Sequence, residues 1–264
     1  MMINGMQLAI VKKDIKGITS NRRLFSAILI VPLIMVVLMP SAFILPILLD
    51  PSGTSGLEQL APLIGETAQS EDLEHMAVAF ILNAILPLFF LMIPIISSSV
   101  MAASAFVGEK EKSTLETLLY CPLPLKSIFS AKIMASFLLS MAVSLLSFII
   151  MMLVVQTEFM LIAGSLFMPG VSWLIMVLLV SPAISLIAIN LIVRGSAKAQ
   201  TMEESQQRSV FLILPIIVLL MGQFTGIMQL SAWLFLATGL ILALIALLML
   251  KSSFGKFQYE KLLR

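Results

Sequence analysis

Glu109, Lys110, Glu111 and Lys112 stand directly before Ser113, Thr114 and Glu116, and this run is the densest group of ionisable and hydroxyl side chains in the 264-residue chain. Its chemistry is that of a helix start rather than of catalysis. Ser113 lies three residues before Glu116, a spacing at which the hydroxyl accepts from an orphan backbone N–H while the carboxylate reaches back to the cap. A short helix is therefore expected from Ser113, with Leu115, Leu118 and Leu119 on one side and Pro122 and Pro124 preventing it from running on. The segment is either an ordinary capped connector or an amphipathic helix at the membrane surface.

Side chains suited to covalent or metal chemistry are sparse. His75 is the only histidine and Cys121 the only cysteine, so no catalytic pair around a histidine, no intrachain disulfide and no cysteine-built metal cluster can be assembled. HExxH, GxSxG and GxxxxGK followed by Ser or Thr are all missing, which leaves no warrant for a protease, a hydrolase or a nucleotide-binding loop. No catalytic residue, no metal site and no cofactor held by this chain are expected. Asn83, Asn190, Gln223 and Gln229 are the polar residues at or near membrane depth. Hydrogen bonding between helices explains them more economically than contact with a substrate, although Asn83, Asn190 and Gln223 stay candidates for a substrate path.

The elements that must hold the charged run are apolar. Hydrophobic residues make up 60% of the chain and charged ones 11%, a balance that requires lipid as solvent. Leu8, Val11, Ile15 and Ile18 recur at helical spacing beside Lys12, Lys13 and Lys16, so residues 5–23 are expected to form an interfacial amphipathic helix or a solvated basic lead-in. The first apolar run is too long for a signal-peptide core and carries no small-residue cleavage site, so nothing is expected to be cleaved. Spans are expected at about 24–49, 77–107, 133–155, 171–193, 210–225 and 230–250. The last two come from 41 uncharged residues, Val210 to Leu250, which as one helix would measure about 60 Å against a hydrocarbon core of about 30 Å and must fold back near Gly222 to Gly226. Residues 50–76 form an acidic loop whose six carboxylates face no lysine or arginine. All 16 lysines and arginines fall in the N-terminal segment, in two charged islands with Lys132 just beyond the first, or in the tail. By the positive-inside rule both termini and both islands are cytoplasmic, which requires an even number of spans. The expected fold is thus all-α, a single membrane domain over 1–264 with six transmembrane helices. No ionisable side chain lies well inside a span, which disfavours a proton-coupled carrier.

The run EKEKSTLETLLYCPLPL resembles the segment between the second and third spans of ABC-2 type exporter permeases, where an acidic-basic cluster precedes Thr-Leu-Glu, a leucine pair and a proline. The resemblance implies that residues 108–127 carry a coupling helix seated on a separate ATPase subunit, with Glu109, Glu111, Ser113, Thr114, Leu115, Glu116, Leu118, Leu119 and Pro122 at the matching positions. KKDIKGITSNRRLFSAILIVPL is similar to the family's interfacial helix and first span, and SAKAQTMEESQQRSVFLILP, with Lys198, Glu203, Glu204 and Gln207, to its second cytoplasmic loop, particularly in the sodium-efflux subgroup. The same resemblance implies a plasma-membrane exporter subunit paired with a second permease chain, identical or related, above two cytoplasmic ATPase subunits that bind ATP and Mg. Its partners are then the ATPase, the second permease and the bilayer, with no nucleic acid. The alternatives are a non-transporting anchor or sensor for a cytoplasmic ATPase, and a secondary carrier.

Overall fold

The computed structural model describes residues 5–49, 78–112, 114, 123–162, 166–196, 198–225 and 232–255. Among these, all regular structure is helical. Eight helices follow in order: α1 Gly5–Thr19, α2 Arg22–Leu49, α3 Val78–Glu111, α4 Leu125–Ile162, α5 Val171–Gly195, α6 Met202–Val210, α7 Ile213–Phe224 and α8 Ala232–Gly255. The acidic loop, Ser113, Leu115, Glu116, Leu118, Leu119 and Pro122 lie outside the described residues.

Helices α3 and α5 are the inner pair, packed on each other, with α4 against α3 and α8 against α5. Sequence explains the order from centre to rim. The stretch of α3 around Ser97, Ser98, Ser99, Ala102 and Ala103 is buried throughout, because small side chains let neighbouring backbones approach. Its hydroxyls return to the helix itself, Ser97 donating to the Ile93 carbonyl at 2.8 Å and Ser98 to that of Ile95 at 3.2 Å, so burial leaves them paired. At the rim, α2 buries a single stripe against α4: Ile28, Pro32, Val36, Pro40 and Ile44 are covered at every fourth position, while Ile30, Ile34 and Leu38 are exposed.

Proline also shapes the inner pair. Residues Ile81–Ile85 of α3 and Met176–Val180 of α5 each form a π-helical turn that runs up to a proline, Pro87 and Pro182 respectively. In such a turn each carbonyl accepts from the residue five positions on, as Ile81 does from the Leu86 N–H. The Leu82 carbonyl would then need Pro87, which has no N–H. The indole Nε1 of Trp173 supplies the missing donor at 2.9 Å. Trp173, 1% exposed, is held edge-on to Phe90 at 6.0 Å and tilted against Phe148 at 5.7 Å, so one side chain joins α3, α4 and α5.

Among the described residues, five helices are long and apolar enough to cross a membrane: α3, α4, α5, Leu24–Pro46 within α2, and Ala232–Ser253 within α8. Helix α7, with 12 residues, covers only about 18 Å and does not reach across by itself. It follows α6 after a two-residue turn, and α6 lies along α3, so the stretch read from sequence as a charged loop up to Ser209 is helical from Met202 and packs into the bundle. Helix α4 likewise begins earlier and ends later than the expected 133–155. Glu158, expected in a loop, sits in its last turns and meets the Ser41 hydroxyl of α2.

Candidate functional site

The first charged island gathers around a lysine that sequence reading only counted. Lys132 lies two turns into α4 and is 3% exposed, because α1 packs across the start of α4. Ile10 and Val11 seat that packing against Ile128, Ala131 and Ala135. The same face of α1 brings in Asp14. From α3 comes Glu109, whose Oε2 is 2.7 Å from the Lys132 Nζ, while Asp14 Oδ2 is 3.8 Å away. The ammonium also donates to the Ala105 carbonyl at 2.5 Å and stands 5.7 Å from the centre of the Phe106 ring. Lys13 closes the group, donating to Glu109 Oε1 at 2.8 Å. Two bases and two acids thus join α1, α3 and α4 with no net charge.

Burial of such groups is costly unless each is matched. Asp14 is the least well matched: its Oδ2 accepts no hydrogen bond and feels Lys132 as a charge at a distance. Desolvation raises its pKa above the ordinary 3.8, with Glu109 adding to the rise and Lys132 and Lys13 opposing it.

This cluster grips both ends of the island. At the end of α3 the Thr114 N–H and hydroxyl both donate to the Glu109 backbone carbonyl, at 2.8 and 3.2 Å, so the chain leaves the helix tied to the main chain of Glu109. On its return, Leu123 packs into the Ile10, Val11 and Ile128 group, and the Pro124 carbonyl accepts from the Ser127 N–H at 2.8 Å to start α4. Of the residues expected to form the site, Glu109 and Thr114 are therefore brought together here.

Glu111 faces the second island instead. Its Oε2 accepts from the Met202 N–H at 3.2 Å, Lys110 donates to the Ala199 carbonyl at 3.4 Å, and the Met202 thioether lies over Gly108, where an added Cβ would meet the sulfur at 3.1 Å. The start of α6 is fixed by reciprocal capping: Thr201 Oγ1 accepts from the Glu204 N–H at 3.2 Å, and Glu204 Oε2 accepts from the Gln200 N–H at 2.9 Å. The signal for it is the Thr201-Met-Glu-Glu204 spacing. Lys198 is exposed, its N–H donating to the Gly195 carbonyl at 3.0 Å. Glu203 and Gln207 face a cavity between α3 and α6.

The three residues considered for a substrate path part company. Asn83 clamps the loop before α5: its Oδ1 accepts from the Gly170 N–H at 3.1 Å and its Nδ2 donates to the Ala79 carbonyl at 3.0 Å. A Cβ at Gly170 would stand 2.5 Å from that Oδ1, so glycine is what lets the loop in. Asn190 joins α5 to α8, accepting from the Ser253 hydroxyl at 3.0 Å while Arg194 Nε donates to the Ser253 oxygen at 3.1 Å. Gln223, 1% exposed, has no partner for its amide among the described residues. Among the described residues no group of acids, histidines or cysteines is placed to hold a metal ion.

A family model described as ABC-2 family transporter protein matches residues 60–200, more than half of the chain and the part that contains the charge cluster's Glu109 and Lys132. The chain belongs to the ABC-2 transporter family, membrane transport components that work with an ATPase partner. No curated protein and no solved structure matched the chain.

Proposed function

We propose that this chain is the permease subunit of an ATP-driven exporter in the plasma membrane, and that residues 108–127 couple it to a separate cytoplasmic ATPase. The observation that carries the reading is the buried cluster of Asp14, Glu109 and Lys132, which fastens both ends of that segment to three helices at once. A push on the segment would be passed to α1, α3 and α4 together, because separating any of them strands a buried charge. Contacts of Glu111 with Met202 and of Lys110 with Ala199 would carry the same push to α6. The chain crosses the membrane six times, with α6 and α7 as a fifth span whose first turns are polar, and both termini are cytoplasmic. Two permease copies stand above two ATPase subunits, which bind ATP and Mg.

The test is vectorial. The permease and its ATPase are reconstituted in sealed vesicles, and ATP hydrolysis is measured with the accumulation of candidate solutes. ATP-dependent accumulation on one side supports an exporter. ATPase binding without flux of any solute leaves an anchor, and flux driven by an ion gradient without ATPase leaves a secondary carrier.

A further inference from the structure

Between α3 and the α6–α7 turn lies an open cavity of about 310 Å³ whose two walls differ in chemistry. Ile95, Ile96 and Val100 of α3 make one wall, and Ile213 closes the α7 end. Glu203, Gln207 and Ser209 make the other. Ser209 is 3% exposed, lines the cavity and has no hydrogen-bond partner for its hydroxyl among the described residues. Ser99, the hydroxyl on the opposite wall, already donates to the Ile95 carbonyl at 2.5 Å. A ligand's polar group would relieve the penalty that an unpaired buried hydroxyl carries. Glu203 lies in the first turn of α6, and among the described residues no base pairs with it. Among the described residues Glu203 is the one ionisable side chain of the lining.

We propose that this cavity binds a small amphipathic monocation, with its ammonium directed to Glu203, its apolar body against Ile95, Ile96 and Val100, and a polar edge on Ser209. An anion is disfavoured because, among the described residues, the lining carries one acid and no base. A hydrocarbon chain is disfavoured because it would leave Gln207 and Ser209 facing apolar matter. The space accommodates about ten water-sized groups at about 30 Å³ each, the scale of a single ring with a short amine. Calling this ligand the substrate rests on the transport reading above; its binding does not, and is measured on the full-length permease without the ATPase.

Tritiated tryptamine serves as the probe, with the permease in phosphatidylcholine nanodiscs, and N-acetyltryptamine as a neutral competitor of the same shape. Saturable binding is expected, with N-acetyltryptamine competing about tenfold more weakly and Glu203→Gln losing about tenfold in affinity. Ile96→Trp, which fills the cavity, abolishes binding. No saturable binding to the wild-type chain, equal competition by N-acetyltryptamine, or unchanged affinity in Glu203→Gln overturns the proposal. If Glu203→Gln does not yield monodisperse protein, the comparison of the two ligands on the wild type decides. Tryptamine bound as described by a chain that never attaches an ATPase removes the transport reading and leaves the site.

Discussion

Lys132 holds two carboxylates that have few other ways to be neutralised, so Lys132→Met is expected to destabilise the protein far more than the loss of one surface charge. The cost is about 3–5 kcal/mol, because Glu109 and Asp14 remain buried with less compensation. Lys132→Met combined with Glu109→Gln removes a charge of each sign and should unfold at a higher temperature than Lys132→Met alone; a double variant no better than the single one would show that the pair is not coupled. Asp14 gives a second, pH-dependent test. Its folded pKa is raised above the ordinary 3.8 chiefly by burial, so the folded state holds the proton longer than the unfolded chain does. Stability contributed by the protonated form is therefore lost as pH rises through the window from 3.8 to the raised value. Asp14→Asn should match the wild type near the acid end of that window and gain on it in melting temperature as pH climbs. A difference that stays flat, or that shrinks with pH, contradicts the account.

The π turn of α3 makes a prediction about an element. Trp173→Phe deletes the donor that serves the Leu82 carbonyl and should cost about 1–3 kcal/mol beyond the lost packing. Pro87→Ala restores a backbone N–H at the position a π turn uses, so it should recover part of the loss when combined with Trp173→Phe. Additive effects in thermal unfolding would show that the carbonyl never depended on the indole. Elements were legible where one physical signal dominated. Long uncharged runs revealed α2, α3, α4, α5 and α8, and Pro87 and Pro182 lie within two of them. These prolines did not announce π turns, since the partner of the freed carbonyl is a tryptophan 91 positions away. Helix α6 was hidden because Met202–Val210 is polar on most faces and its burial comes from α3, a tertiary neighbour. Lys132 was visible as a base beside the first island, but its burial depends on α1 folding back across α4, which no local pattern encodes. Glu158 was placed beyond the helix because the count of apolar residues stopped at Val155.

For the molecule as a whole, the proposed topology assigns each loop a side by the positive-inside rule. In a Cys121→Ser background, a cysteine at position 58 should react with an impermeant thiol reagent in intact cells and one at position 198 should not; labelling of the second would overturn the six-span topology. The central claim is that the segment between α3 and α4 is the attachment point of an ATPase, held rigid by the cluster of Asp14, Glu109 and Lys132. Leu118→Asp tests it most directly. In a dry cleft an unpaired charge carries a penalty of several kcal/mol, whereas on a solvated connector it carries almost none. Folding of the permease should not depend on Leu118, so thermal stability is compared alongside, with Lys251→Ala as an exposed control on α8. The measurement is co-purification of the ATPase with each variant. The account predicts that Leu118→Asp folds as the wild type does and loses its ATPase, while Lys251→Ala keeps it. A Leu118→Asp permease that retains its ATPase and full transport would contradict the coupling role and leave residues 108–127 a connector.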